Sequence, residues 1–222
     1  MTTLVVLGVD GCKGAWVAAR VSSQEVTWRH GRFADLLDAD LDVVAVDIPI
    51  GLAEHGPRGC DLAAKAALGP AASRVFALPI RPALTEVDTH AGANVLLRAL
   101  GEPGVSAQAW GLRAAVLEVA RHADDRRVVE VHPELAFKAM TGRVLAPKKS
   151  ARGAAQRLRA LAGWLDPLSA LDSAPDRVPL DDCLDALAAA WTAQRVAAGS
   201  AQAYPASAAA ADRSGRTMVI YA

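Results

Sequence analysis

Two apolar runs in this sequence end on a carboxylate: "LVVLGVDG" (4–11) delivers Asp10 and "VVAVDIP" (43–49) delivers Asp47. A third run, "RVVEVHPE" (127–134), carries Glu130 and Glu134 on either side of His132. Asp182 and Asp185 lie three residues apart in "LDDCLDALAAAW" (180–191), which puts both on one face of a helix. Carboxylates that converge repel one another and raise each other's pKa unless a cation lies between them. Hard oxygen donors without Cys or His suit Mg²⁺ or Mn²⁺. Such ions can stabilise both the attacking and the leaving oxygen in phosphoryl transfer. The chemistry indicated is metal-assisted hydrolysis of a phosphodiester, with Asp10, Asp47 and Asp182 as metal ligands, Asp185 beside them, and Glu130 or Glu134 assisting.

Each acid also has a plainer use. Asp10-Gly11 is a turn signal. Asp181 or Asp182 can cap the helix after Pro179 or complement its dipole. Glu130 can pair with an arginine, and Glu134, just after Pro133, is a favourable charge at a helix start. His132 offers a general base or metal ligand, or merely precedes that helix. Asp47 is the hardest to explain away, because a carboxylate after "VVAV" is costly to bury unless paired or bound to metal.

Three cations are candidate substrate contacts: Arg58, Arg81 and Lys148. Arg58 and Arg81 can clamp an anion or pair internally with Asp61 or another acid. Lys148 belongs to a basic stretch (Lys138, Arg143, Lys148, Lys149, Arg152, Arg157, Arg159) with no acid between 138 and 159. That stretch can track a phosphate backbone or form a solvated helix face, and its members spread over too many faces to serve one groove. Cys12 and the five tryptophans are read as structural.

The elements that must position these residues follow from periodicity and breakers. Residues 4–9 and 15–21 form a hairpin across a turn containing Gly11 and Gly14, and 25–30 is a third strand after a turn at Ser22-Ser23-Gln24. A short helix at 33–39 precedes a second apolar run at 43–52, whose strand is stopped by Pro49 and Gly51 and is parallel to the first. Residues 54–106, rich in Gly and Pro, are expected as an insertion over one sheet edge, with helices at 60–68 and 90–100. Helices are predicted at 108–122, from Pro133, at 149–164 and at 180–199, with strands at 127–131 and in the final "TMVIY". A loose loop is expected at 200–216. The predicted class is α/β with a mixed five-stranded sheet, in a single domain spanning 1–222.

The chain has 222 residues, of which 52% are hydrophobic, enough for a substantial core. Its 24 Lys and Arg balance 24 Asp and Glu, so bulk charge gives no argument for nucleic-acid or membrane binding. Three scattered cysteines fit neither a disulfide framework nor a zinc site. With no secretory signal or membrane span evident, a cytoplasmic protein is expected.

Several ordered blocks resemble a known family: "GVDGCKGAW" (8–16), "VAVDIPIGL" (44–52), "RGCDLAAKAALG" (58–69), "SRVFALPIR" (73–81), "VVEVHPELAF" (128–137) and "DDCLDALAAAW" (181–191). They are similar to domain-of-unknown-function family 429, classed as predicted nucleases of ribonuclease H-like fold. That resemblance implies a β-β-β-α-β-α-β core. It also implies a nucleic acid or phosphorylated small molecule as substrate, without excluding a homodimer. The nearest local likeness is to RuvC-type Holliday-junction resolvases, whose acids match Asp10, Asp47, Asp182 and Asp185. The fourth-strand acid is Asp here rather than Glu, and those enzymes lack the 54–106 excursion. Two other classes remain: a nucleotide-binding phosphotransferase of the actin and sugar-kinase type, whose hairpin cradles phosphate, and a non-catalytic binding module.

Overall fold

The computed structural model describes residues 3–23, 25–207 and 209–222. In chain order it forms β1 (Val5–Cys12), β2 (Ala15–Ser22), β3 (Glu25–Gly31), a 3-10 turn (Phe33–Leu36) and β4 (Val43–Val46). Next come α1 (Gly59–Leu68), a 3-10 segment (Gly69–Arg74), α2 (Arg81–Thr85), α3 (His90–Ala99), α4 (Ala107–Gly111) and α5 (Arg113–Ala120). The chain continues through β5 (Val128–Val131), α6 (Pro133–Thr141), α7 (Ala151–Leu161), α8 (Pro167–Asp172), α9 (Leu180–Ala197), β6 (Ala203–Tyr204) and β7 (Ile220–Tyr221). Two compact units result: Met1–Ile48 with Asp125–Gln202 and Tyr221–Ala222, and Pro49–Asp124 with Ala203–Ile220. The stretch 54–106 lies inside the second.

The first unit is built on the strand order β3-β2-β1-β4-β5. β2 is antiparallel to β1 and β3, while β4 runs parallel to β1 and to β5. Apolar strands buried on both faces suit this arrangement: β4 is buried at all four residues and β1 at six of eight. The short β7 and β6 bring the sheet to seven strands where five were expected. Reciprocal bonds between Gln202 and Ala222, 2.6 and 2.9 Å, flank them. β6 occupies part of the supposed loop at 200–216, and β7 lies in the predicted final strand.

The first hairpin departs from expectation in a way that matters. β1 runs on to Cys12, and Gly11 is an ordinary strand residue opposite Trp16. The turn is the two-residue Lys13-Gly14, with φ of 49° and 81°, the left-handed pair that a tight hairpin matching strand twist demands. Asp10 therefore lies inside the strand and is 6% exposed, instead of sitting beside an open turn. In the next turn, Gln24 lies outside the described residues, as does Ala208 in the 200–216 stretch.

Gly8 sets the distance between sheet and helix. A Cβ there would fall 2.1 Å from both Ala186 O and Ala190 N. Helix α9 thus packs backbone against backbone on β1, and its Ala186, Ala189 and Ala190 are fully buried. Ala189, Ala190 and Ala193 share an apolar cluster with Val6, Val21, Val43, Ala45 and Val131. Leu184, Ala186, Leu187 and Ala188 share another with Val17, Ala19, Phe137 and Leu161. Trp28, Trp164 and Trp191 pack against this second cluster.

Helix α7 starts at Ala151 because Ser150 caps it, accepting from Gly153 N at 3.0 Å. The unforeseen α8 starts where Asp166 accepts from Leu168 N at 3.0 Å, with Pro167 at its first turn.

In the second unit, α1 and α3 stand where helices were expected, while the predicted 108–122 helix breaks at Leu112 into α4 and α5 after the helix-weakening Gly111. Ile80, Ala83, Ala93, Leu97, Val105 and Ala109 form its core. No helix among the described residues is long and apolar enough to cross a membrane.

Candidate functional site

Parallel pairing brings the first two aspartates together. Val9 is level with Val46, and Asp47 N donates to Val9 O at 2.9 Å, so Asp10 and Asp47 come next on neighbouring strands. Side chains alternate along a strand, and laterally paired residues share a face. Asp10 and Asp47 thus project on the same face as Gly8, the face covered by α9. That helix supplies Asp185, which is 3% exposed. Asp10, Asp47 and Asp185 are then close enough to act on one another electrostatically.

Burial and mutual repulsion dominate this cluster. Asp10 is raised well above the usual carboxylate range, first by burial and then by Asp47 and Asp185, with Lys148 opposing. Burial also raises Asp47, against the pull of His132 and Lys148. Asp185 reaches about 7 through burial, opposed by Lys148 and supported by Asp47. Asp182, at the rim, is raised by burial and by Asp181, while a hydrogen bond with Cys12 works the other way. Burial and Asp182 together push the Cys12 thiol to about 11, which leaves it protonated and poorly nucleophilic.

One cation enters this nest of acids. Lys148 Nζ lies 2.5 Å from Asp185 Oδ2 and 3.8 Å from Asp181 Oδ2. Burial disfavours its charge, yet Asp185, Asp10 and Asp47 outweigh burial and raise it above an ordinary lysine. The other oxygen, Asp185 Oδ1, is buried without a hydrogen-bond partner. Among the described residues, Asp10, Asp47 and Asp182 do not form a group of three whose ligand oxygens all lie within 4.8 Å of one another.

The loop bearing Lys148 is held rigidly. Ala146 N donates to Gln156 Oε1 at 2.8 Å, and Ser150 Oγ donates to Pro147 O at 2.7 Å. Arg157, fully buried, donates to Ala146 O at 2.9 Å and to Glu134 Oε1 at 2.5 Å. A Cβ on Gly153 would come within 2.0 Å of Pro147 O. Replacing Arg157 with methionine removes both the loop anchor and the buried cation facing Glu134, and is expected to cost about 3–5 kcal/mol of stability. Urea denaturation measures this, and adding Glu134→Gln is expected to recover a large part of it.

The remaining predicted residues separate. Glu130 is level with Val46, so it shares the Val9 face and projects on the opposite side of the sheet from Asp10 and Asp47. Glu134, at the start of α6, acts on Asp47 electrostatically but is committed to Arg157. Arg58 and Arg81 belong to the second unit and are paired within it. Arg58 lies 3.7 Å from Asp61, and Arg81 lies 2.5 Å from Glu54 and 3.7 Å from Asp212. Of the basic stretch, Lys148 and Arg157 turn inward, whereas Arg143, Lys149, Arg152 and Arg159 are exposed. The positioning roles of Gly8 and Arg157 were not anticipated. A glycine interrupting an apolar strand run is the signal that marks Gly8.

Neither a curated protein nor a solved structure matches the chain. The family model described as "Protein of unknown function (DUF429)" matches residues 8–210. That match takes in both strand aspartates, the lysine loop and the α9 acids, and the chain belongs to the DUF429 family.

Proposed function

We propose that this protein is a divalent-metal-dependent hydrolase of phosphodiester bonds, with a ribonuclease H-like core. The observation that carries the reading is the convergence of Asp10, Asp47 and Asp185 on one sheet face, at the carboxyl ends of two parallel strands. Ligands of open α/β sheets collect at such ends. The order β3-β2-β1-β4-β5, with β2 alone antiparallel, supports the ribonuclease H-like assignment.

The donor set suits the metal. It consists of carboxylate oxygens, one of them the orphaned Asp185 Oδ1, and the repulsion that raises Asp10 is what a cation relieves. Asp10 and Asp47 would hold Mg²⁺ or Mn²⁺, with Asp185 and Asp182 adjoining. Because their oxygens are not gathered within 4.8 Å, binding requires these side chains to reorient. A bound ion supplies polarisation of the phosphate and an activated water. His132 acts electrostatically on Asp47 and favours its charged form. The exposed Arg143, Lys149, Arg152 and Arg159 supply contacts to flanking phosphates of a nucleic-acid substrate. The buried cysteines are not bridged by disulfides, which accords with a reducing, cytoplasmic setting.

The test is incubation of purified protein with Mn²⁺ or Mg²⁺ and a panel of DNA, RNA, branched nucleic acids and small phosphodiesters, beside an Asp10→Asn control. Metal-dependent cleavage that the control lacks is expected. Absence of both cleavage and metal binding overturns the reading.

A nucleotide phosphotransferase has one observation in its favour. The hairpin tip opens on a cleft of about 470 Å³ lined by Lys13, His30 and Arg177, a place for a phosphate group. Calorimetry with Mg-ATP tests it: tight binding without hydrolysis of nucleic acid selects this alternative.

A further inference from the structure

We infer that Lys148 serves as a built-in cation of the carboxylate cluster, so that the site takes a single divalent ion where the same acids without the lysine would take two. This rests on the metal-dependent reading above and concerns how many ions that site accepts.

Three observations meet at this side chain. The first is contact: the ammonium is 2.5 Å from Asp185 Oδ2 and 3.8 Å from Asp181 Oδ2, and it acts electrostatically on Asp10, Asp47 and Asp182 as well. Lys148 thus serves the cluster as a whole. The second is fixation. Gln156 and Arg157 bind Ala146, Ser150 bonds Pro147, and the bare backbone of Gly153 packs on Pro147 O. A lysine that merely found an acid on the surface would not need the two residues before it held by the buried Arg157 and Gly153. The third is the half-used carboxylate: Asp185 is buried, with Oδ2 on the lysine and Oδ1 left without a partner.

Charge sets the consequence. Lys148 Nζ already fills the place beside Asp185 Oδ2, at 2.5 Å, and faces Asp181 Oδ2 at 3.8 Å. A second divalent ion on Asp185 would sit within a few ångströms of that ammonium, and like charges at such distances repel. One divalent ion on the Asp10 and Asp47 side avoids that repulsion. The lysine therefore takes the position of a second ion on the Asp185 side.

Counting bound Mn²⁺ in equilibrium dialysis, with free ion read by electron paramagnetic resonance, tests this without any turnover. Wild type is expected to bind one ion, Asp10→Asn none, Lys148→Met two, and Lys148→Arg one. Circular dichroism checks that each variant is folded. In metal-free buffer Lys148→Met is expected to melt below wild type, and millimolar Mn²⁺ to raise its midpoint more than that of wild type. Two ions on wild type, or one on Lys148→Met, overturn this inference and leave the metal-dependent reading standing. No ion on wild type overturns both.

Discussion

Asp10→Asn protein is expected to be more stable than wild type in the absence of metal, by about 1–2 kcal/mol, while losing metal-dependent cleavage. The gain follows from repulsion: Asp10 is 6% exposed, with its charge disfavoured by burial and by Asp47 and Asp185. An amide keeps the shape and removes the charge. The loss follows from the metal-ligand role proposed for the same group, and should exceed the roughly 100-fold that losing an outer-shell partner costs. The pH dependence of stability gives a second check. Asp185 has a folded-state pKa of about 7 against 3.8 for an ordinary aspartate. Between those values the folded chain holds a proton that the unfolded chain releases, so stability falls as pH rises from about 4 to about 7, by a few kcal/mol. Below that window the contribution is fully present. Asp185→Asn is expected to flatten the slope. Urea midpoints at several pH values in the presence of a chelator measure both effects, and a destabilised Asp10→Asn would contradict this view of the cluster.

Replacing Gly8 with alanine is expected to cost about 3 kcal/mol or more, at or above the upper end for overpacking. The added methyl would meet Ala186 O and Ala190 N at 2.1 Å. Both are backbone atoms of a helix, so no side-chain rotation relieves the clash. The helix must move off the strand, and Asp185, one residue before Ala186, moves with it. The variant should therefore lose Mn²⁺ binding even under conditions where it remains folded. Thermal melts combined with the dialysis measurement separate this outcome from simple loss of packing, and an unchanged melting temperature would show that α9 does not rest on β1 in this way.

What the sequence reveals about the site depends on the kind of signal. Asp10 and Asp47 are legible because a charge that closes an apolar run is conspicuous in one dimension. Asp182 and Asp185 are legible because helical spacing is local. Glu130 looks equally conspicuous, and only the register shows that it faces away from the others: one step of parity along β5 decides its side of the sheet. The hairpin turn was misplaced because Gly11 and Gly14 are equivalent on paper, whereas pairing of Cys12 with Ala15 leaves only Lys13 and Gly14 in the loop. Lys148 lies in an irregular segment, where no periodicity predicts direction. Its inward turn depends on anchors supplied by Gln156 and Arg157 from the following helix. The unforeseen strand β6 is two residues long, too short for alternation to register.

The chain order of the first unit has a consequence for biosynthesis. Its strands β1 to β4 lie near the amino end, whereas the lysine loop and α9 come after residue 140, beyond the stretch that makes up most of the second unit. A nascent chain emerging from the ribosome therefore exposes Asp10 and Asp47 long before Asp185 and Lys148 have been made. The carboxylate cluster has no early form: until α9 has been made, Asp10 and Asp47 stand without the helix that covers them. The cluster can assemble only once translation has passed α9.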